Sequence, residues 1–351
     1  MNEIDVVFSA SERGYSDSPR AIESELRRRG VPLRARWLLP EAAEAPADVE
    51  RIEPGTEAAR AALQEADYIV SNTYLLQNFE PKPGATYIQT WHGTPLKRIG
   101  HDIKIPEHVL RFEVSSDEDQ RRWDVVLAPN EFTVPILETV FPGTPVLRSG
   151  YPRNDLLSSP DAERVRRETR KALGLSPEQQ AVLYAPTFRD DDLSVRFGLE
   201  PGSMAERLED GTVILARSHV LTPVGDSGAG HDGWIDVTEY PDIAELYLAA
   251  DVLITDYSSA MFDYAVTGKP VLFYTYDLEH YRDESRGFYF DFEAAAPGPL
   301  LRTPEEVAEA LGRTAEIRAE YAERYDAFQE RFCHWDDGGA AARVVEALFR
   351  P

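Results

Sequence analysis

Two short stretches carry side chains that could do chemistry together: Gln89-Thr90-Trp91-His92-Gly93-Thr94-Pro95-Leu96-Lys97 and Thr255-Asp256-Tyr257-Ser258-Ser259-Ala260-Met261-Phe262-Asp263. An imidazole titrates near neutral pH, at about 6.5 when unperturbed, so His92 can take a proton from an alcohol. Trp91 offers an aromatic surface that fixes the ring, and Gly93 lets a substrate approach the backbone closely. The alternative is a histidine that ties down its own loop. In the second stretch, Ser258 and Ser259 stand where a helix begins. N–H groups at a helix start bind phosphate, and the same serines can cap the helix, so stability and anion binding can coincide. Asp256 or Asp263 could accept a hydrogen bond from a ribose or polyol hydroxyl, or one of them could serve as a cap.

Further residues of the right type stand at other strand ends. Arg217-Ser218-His219 follows the run Val213-Ile214-Leu215-Ala216. A guanidinium and an imidazole two positions apart on extended chain point the same way and could jointly neutralise a pyrophosphate. His219 could also donate a proton to a leaving group. An ordinary surface strand end reads equally well. Ala185-Pro186-Thr187-Phe188-Arg189 ends another strand at a proline, which stops the ladder and leaves backbone to face a ligand. Arg153 lies between the two halves of the chain, a place from which it could reach a phosphate. His101, His108, His231, His280, His334 and Cys333 show no metal-ligand spacing, and neither a dinucleotide fingerprint nor a P-loop occurs. No metal and no cofactor are expected.

These residues need elements that hold them. Short apolar runs at Ile4 to Ser9, Tyr68 to Ser71, Thr86 to Gln89, Val125 to Ala128 and Val146 to Ser149 predict buried parallel strands separated by helices. The alternation restarts after Gly150-Tyr151-Pro152-Arg153-Asn154-Asp155, with strands at Val182 to Ala185, Val213 to Ala216, Val252 to Thr255 and Val271 to Tyr274. This is the α/β pattern of two doubly wound Rossmann-like halves, 1–150 and 151–351, with ligands at the carboxyl ends of the strands. Helical periods from Pro304 to Arg331 and from Gly339 to Phe349 are expected to close the second half.

Composition narrows the classes. With 351 residues and 42% hydrophobic residues the chain can bury two cores. Its net charge of -25 repels polyanions, which argues against nucleic acid as a partner while allowing a small phosphorylated ligand in a pocket. One cysteine permits no internal disulfide, the amino terminus lacks a secretory pattern, and no apolar run is long enough to span a bilayer. The expected location is the cytoplasm, with peripheral contact at the inner face of the membrane left open. Arg27, Arg28, Arg29, Arg34 and Arg36 followed by Trp37 could touch an anionic membrane, but a helix end followed by a buried strand produces the same string and is the stronger reading.

The residues also resemble the CDP-glycerol glycerophosphotransferase family of teichoic acid primases and polymerases. The resemblance runs in order over nearly the whole chain: Tyr15 to Arg20, Trp91 to Lys97, Gly150 to Asp155, Tyr184 to Arg189, Asp256 to Ser259 with Phe262-Asp263, Tyr281 with Arg286-Gly287, and Asp337-Gly338. It implies a GT-B architecture: an amino-terminal acceptor domain and a carboxyl-terminal domain for CDP-glycerol, facing each other across a cleft. It also implies the reaction. A hydroxyl of a polyol-phosphate chain or lipid-linked glycan attacks the β-phosphorus of CDP-glycerol, and CMP leaves. By motif position His92 resembles the base. His92 to Leu96 (with Gly93, Thr94 and Pro95), Arg153, Pro186, Thr187, Arg217, Ser218, His219, Ser258, Ser259 and Asp263 resemble the donor contacts, with Lys97, Arg189, Asp256 and Arg286 as further candidates. The amino-terminal module of the larger polymerases is expected to be missing, and Val220 stands where proline often follows the second histidine. Phosphotransfer, more than processive polymerisation, is what the resemblance implies. CDP-ribitol as donor, another GT-B nucleotide-sugar reaction, and a non-catalytic CDP-polyol-binding protein are the competing readings.

Overall fold

The computed structural model describes residues 3–10, 14–75, 78–103, 117–187, 189, 198–200, 204, 206–218, 233–285 and 287–349. The chain folds into two compact units. The first contains residues 1–94, 99–159 and 334–351; the second contains 95–98 and 160–333.

In the first unit, strands β1 (Ile4–Ser9), β2 (Leu33–Leu38), β3 (Glu50–Ile52), β4 (Tyr68–Ser71), β5 (Thr86–Gln89), β6 (Val125–Ala128) and β7 (Val146–Arg148) form one sheet. Its order is β3-β2-β1-β4-β5-β6-β7, and every pairing is parallel. The order reverses between β1 and β4, which is the switch point of a doubly wound sheet. Val6, Phe8, Val70, Ile88 and Leu127 fill one side of this sheet with Ile22 and Leu26 of helix Asp17–Arg28.

The second unit repeats the plan. Strands β8 (Gln180–Tyr184), β9 (Thr212–Ala216), β10 (Trp234–Asp236), β11 (Val252–Thr255), β12 (Val271–Tyr274) and β13 (Leu300–Leu301) lie in the order β10-β9-β8-β11-β12-β13, again all parallel. The switch point falls between β8 and β11. Strands buried on both faces have no polar side to show, which is why Val252-Leu253-Ile254 and Val271-Leu272-Phe273 read as unbroken apolar runs.

Two expectations are corrected. The boundary falls after Ser159 and not at residue 150, and the last helix, Ala340–Leu348, belongs to the first unit. Val344, Val345 and Phe349 join the core of Val6 and Phe8, and the ring of Phe349 stacks on Tyr68 at 4.4 Å. The motif at 150–158 holds this returning segment. Asp155 accepts the Ala340 and Ala341 N–H groups at 2.9 and 2.8 Å, Asn154 donates to Asp336, and Arg343 donates to the Ser149 carbonyl at 2.8 Å. Asp155 is therefore a helix cap supplied from another part of the chain.

The membrane reading of the arginine cluster also gives way. Trp37 is fully buried and donates its indole N–H to Glu23 at 2.7 Å, while Arg36 is buried in a two-point bond to Asp5. Arg27, Arg28, Arg29 and Arg34 pair with Glu23, Glu25 and Glu50. These charges cap and brace their own helix and strands.

Candidate active site

His92 follows β5 on a loop fixed at each residue. Gln89 turns its amide back to accept the Trp91 N–H at 2.9 Å, and Trp91 adopts a left-handed backbone with φ of 57°. The indole, 4% exposed, packs edge-on against Phe141 and stacks on the His92 ring at 4.3 Å. His92 Nδ1 lies 2.8 Å from the carbonyl oxygen of Asn72, at the end of β4. A carbonyl only accepts, so Nδ1 carries the hydrogen and the lone pair of the neutral ring sits on Nε2. The residue as a whole is exposed. This is the tautomer and orientation that a base needs.

The backbone around it is equally held. Gly93 donates its N–H to the Tyr151 hydroxyl at 3.0 Å, and Thr94 accepts from Asn130 at 3.0 Å. Arg153 donates from Nη1 to the His92 carbonyl at 2.9 Å and to Asp17 at 3.1 Å, while its guanidinium stacks on Tyr151 at 4.7 Å. Arg153 thus braces the His92 loop. Asn72 lies outside the stretches read from sequence, and Asp17 and Tyr151 lie inside two of them with no role assigned. Asp17 could have been given one, because it sits at the first turn of a helix after β1, beside the switch point.

In the second unit, Pro95, Leu96 and Lys97 run along residues 287–289. Lys97 forms an antiparallel bridge with Phe288, the Leu96 carbonyl accepts the Tyr289 N–H at 2.8 Å, and Arg98 donates to the Gly287 carbonyl at 3.1 Å. The Lys97 ammonium lies 5.9 Å from the centre of the Tyr281 ring, which stacks on Tyr257 at 4.3 Å. Tyr257 immediately precedes Ser258.

The serine loop differs in detail from the expectation. Its helix is six residues long, Ala260–Ala265, and Ser259 at its start makes no side-chain cap. Ser258 does, accepting the Ala260 N–H at 3.2 Å. Met261 and Phe262 donate to the carbonyls of Ser258 and Ser259 at 3.3 and 3.1 Å. With three helix-start N–H groups used internally, what this turn offers an anion is mainly hydroxyl. Pro186 and Thr187 are half-buried at the end of β8, and the Thr187 hydroxyl is buried with no hydrogen-bond partner among the described residues.

Asp256 and Asp263 are buried, at 2% and 3% exposure. Asp256 spends one oxygen on the N–H groups of Thr187 and Tyr257, at 2.8 and 2.6 Å, and the other on Arg189 at 2.9 Å. In these contacts it braces two strand ends. Arg189 is likewise buried; although burial opposes its charge, Asp256 and Asp277 hold the guanidinium well above its usual value. Arg217, past β9, donates to the carbonyls of Val237 and Tyr240 at 3.2 and 2.6 Å, and Ser218 bonds Thr238 through both N–H and hydroxyl. His219 and Arg286, and with them His108 and His231, lie outside the described residues.

Two doubly wound parallel sheets in one chain, with histidine, serine and threonine loops at the carboxyl ends of the strands, define the GT-B class of nucleotide-dependent transferase folds. UDP-GlcNAc 2-epimerase from Neisseria meningitidis shares that fold, with a TM-score of 0.55 at 13% identity over 99% of this chain and 100% of its own. Sequence places the chain more narrowly: it belongs to the CDP-glycerol:poly(glycerophosphate) glycerophosphotransferase family, whose model matches residues 1–350. A teichoic acid poly(glycerol phosphate) polymerase of Staphylococcus epidermidis is 32% identical over 98% of this chain and 50% of its own length. A teichoic acid glycerol-phosphate transferase of Staphylococcus aureus is 37% identical over 76% of this chain and 72% of its own. The chain thus spans about half the length of the first of these relatives. The solved wall teichoic acid polymerase TagF matches with a TM-score of 0.88 at 33% identity, covering 98% of this chain and 88% of that one.

Proposed function

We propose that the protein transfers glycerol phosphate from CDP-glycerol to a hydroxyl of a polyol-phosphate chain or lipid-linked glycan and releases CMP. The observation that carries the reading is His92, exposed on a loop braced by Tyr151 and Arg153, with Nδ1–H committed to the Asn72 carbonyl. Nε2 takes the proton of the acceptor hydroxyl as its oxygen bonds to the β-phosphorus; the bond from that phosphorus to the bridging oxygen breaks, and CMP departs with the electron pair. Little covalent chemistry is asked of the protein, so orientation and charge stabilisation supply the rate. His219 is assigned to the leaving group. Thr187, Ser218, Ser258 and Ser259 are assigned to the donor phosphates, with Arg217 and Lys97 supplying positive charge.

Membership of the family supports this donor, as does a histidine variant of TagF soaked with CDPG, which matches with a TM-score of 0.87 at 32% identity. Glycerol is favoured over ribitol because the glycerol-phosphate relatives named above are 32% and 37% identical, whereas a ribitol-phosphate polymerase of Staphylococcus aureus is 27% identical. The described helices include none long and apolar enough to cross a membrane, and contact with a lipid-linked acceptor is assigned to the surface of the folded units. The test is to incubate the purified protein with CDP-glycerol or CDP-ribitol and a panel of lipid-linked and synthetic acceptors, following CMP and product mass. CMP release and an added glycerol phosphate support the proposal. Release from CDP-ribitol alone moves the donor, and binding of CDP-glycerol with no CMP from any acceptor overturns the enzyme.

A further inference from the structure

Beneath the Ser258–Ser259 loop lies a knot of side chains that joins three neighbouring strand ends. Arg189, past β8, donates from Nη1 to Asp256 and to the Thr187 carbonyl at 2.9 and 2.7 Å. It also closes a two-point bond on Asp277, past β12, through Nε at 2.7 Å and Nη2 at 3.1 Å. Asp256, past β11, holds the N–H groups of Thr187 and Tyr257 on its other oxygen. The Tyr257 hydroxyl returns to Asp277 at 3.0 Å. The guanidinium lies 5.3 Å from the centre of the Tyr257 ring and 5.0 Å from that of Tyr281.

The charges decide what this cluster can do. One buried cation faces two carboxylates, so Arg189 has no net positive charge to lend a diphosphate. Asp256 reaches only one nitrogen of the guanidinium. Asp277 grips the opposite edge at two points, and a two-point bond fixes the plane of the group where a single contact leaves it free to turn. The orientation of that plane bears on the spacing between the Thr187 loop and the Ser258–Ser259 loop, because Thr187 is hydrogen-bonded to both Arg189 and Asp256, while Tyr257, immediately before Ser258, is hydrogen-bonded to Asp256 and Asp277.

We propose that Asp277 is a positioning residue of the donor site: it orients Arg189 and thereby holds the Thr187 and Ser258–Ser259 loops at the separation the donor phosphates require, without touching the ligand. This rests on the assignment of those loops to the donor.

The test separates positioning from bulk stability. Calorimetric titration of the full chain with CMP and with CDP-glycerol, well below the melting midpoint, is compared for the parent, Asp277→Asn and Tyr257→Phe. The second variant deletes only the hydroxyl that contacts Asp277 and serves should the first fold poorly. Arg36→Met, which breaks a buried ion pair in the other unit, is the control for lost stability. Expected is a rise in Kd of about tenfold for Asp277→Asn and about threefold for Tyr257→Phe, with Arg36→Met unmoved despite a lower melting midpoint. Unchanged Kd values in both knot variants, with the parent binding normally, overturn the positioning role alone. A parent that binds neither CMP nor CDP-glycerol overturns the donor assignment beneath it.

Discussion

Asp155 is a carboxylate on which two effects of opposite sign compete. It caps the helix Ala340–Leu348, accepting two backbone N–H groups, and such bonds together with the positive end of a helix favour the charged form. Burial opposes this and prevails, pushing the carboxyl from 3.8 up to about 6. A raised folded value means that the native state binds the proton more tightly than the unfolded chain. The contribution of Asp155 to stability is then fully present below the unfolded value and is lost as pH rises through the folded one. The whole difference is on the order of 3 kcal/mol, of which about 1.4 kcal/mol falls between about pH 5 and about pH 8. Asp155→Asn cannot titrate and serves as the reference. Urea unfolding of both proteins, followed by tryptophan fluorescence at those two pH values, should show the parent losing about 1.4 kcal/mol relative to the variant on going to the higher pH. If the parent instead gains on the variant as pH rises, the helix-end hydrogen bonds outweigh burial and the reasoning is refuted.

Three further outcomes are expected. His92→Ala should lower CMP release by on the order of a hundredfold to ten-thousandfold while leaving CDP-glycerol binding nearly intact, and parent-like turnover would remove His92 from the base role. Arg36→Met leaves the Asp5 carboxylate without its two-point partner and should cost about 3 kcal/mol in denaturant titrations; a loss under about 1 kcal/mol would mean that water reaches the pair. Gly150 has φ of 78°, and a Cβ there would come within 2.7 Å of the Trp335 carbonyl oxygen. Gly150→Ala should therefore lower the melting midpoint far more than Gly55→Ala, which has a similar φ but meets nothing within 4 Å.

How much was legible follows from what each element owes to its own residues. Central parallel strands are buried on both faces, so β1, β8, β11 and β12 announce themselves by their apolar runs. The edge strand Glu50–Ile52 is three residues long and mostly exposed, and β13 is two residues, so neither carries a pattern. The amphipathic period of the last helix shows that it has an apolar face and says nothing of which sheet that face meets. His92 and Ser258 were readable because their residue types have chemistry of their own. Asp17, Tyr151 and Asp277 acquire a role only through partners distant in sequence. One signal was present: an acid follows β11 and another follows β12, with an arginine past β8, so charges stand at three strand ends that the alternation of elements makes neighbours.

The arginines show what residue type alone leaves unsaid about a site of this kind. A guanidinium in a phosphate-handling protein invites the reading that it binds phosphate, and Arg153 and Arg189 both stand in the stretches that resemble the family. Yet in each unit the arginine is bonded to aspartate and to the backbone of a loop that carries a proposed site residue: Arg153 to Asp17 and the His92 carbonyl, Arg189 to Asp256, Asp277 and the Thr187 carbonyl. A partly buried charge pair contributes little net stability, because the desolvation of both ions offsets their attraction. What it contributes here is direction, since a planar donor fixed at several points defines where each attached loop lies. In a transfer that depends on in-line alignment of oxygen and phosphorus, a displacement of about 1 Å costs roughly a hundredfold in rate, more than one additional surface cation would return. In their described contacts these two cations thus serve the geometry of the loops they hold.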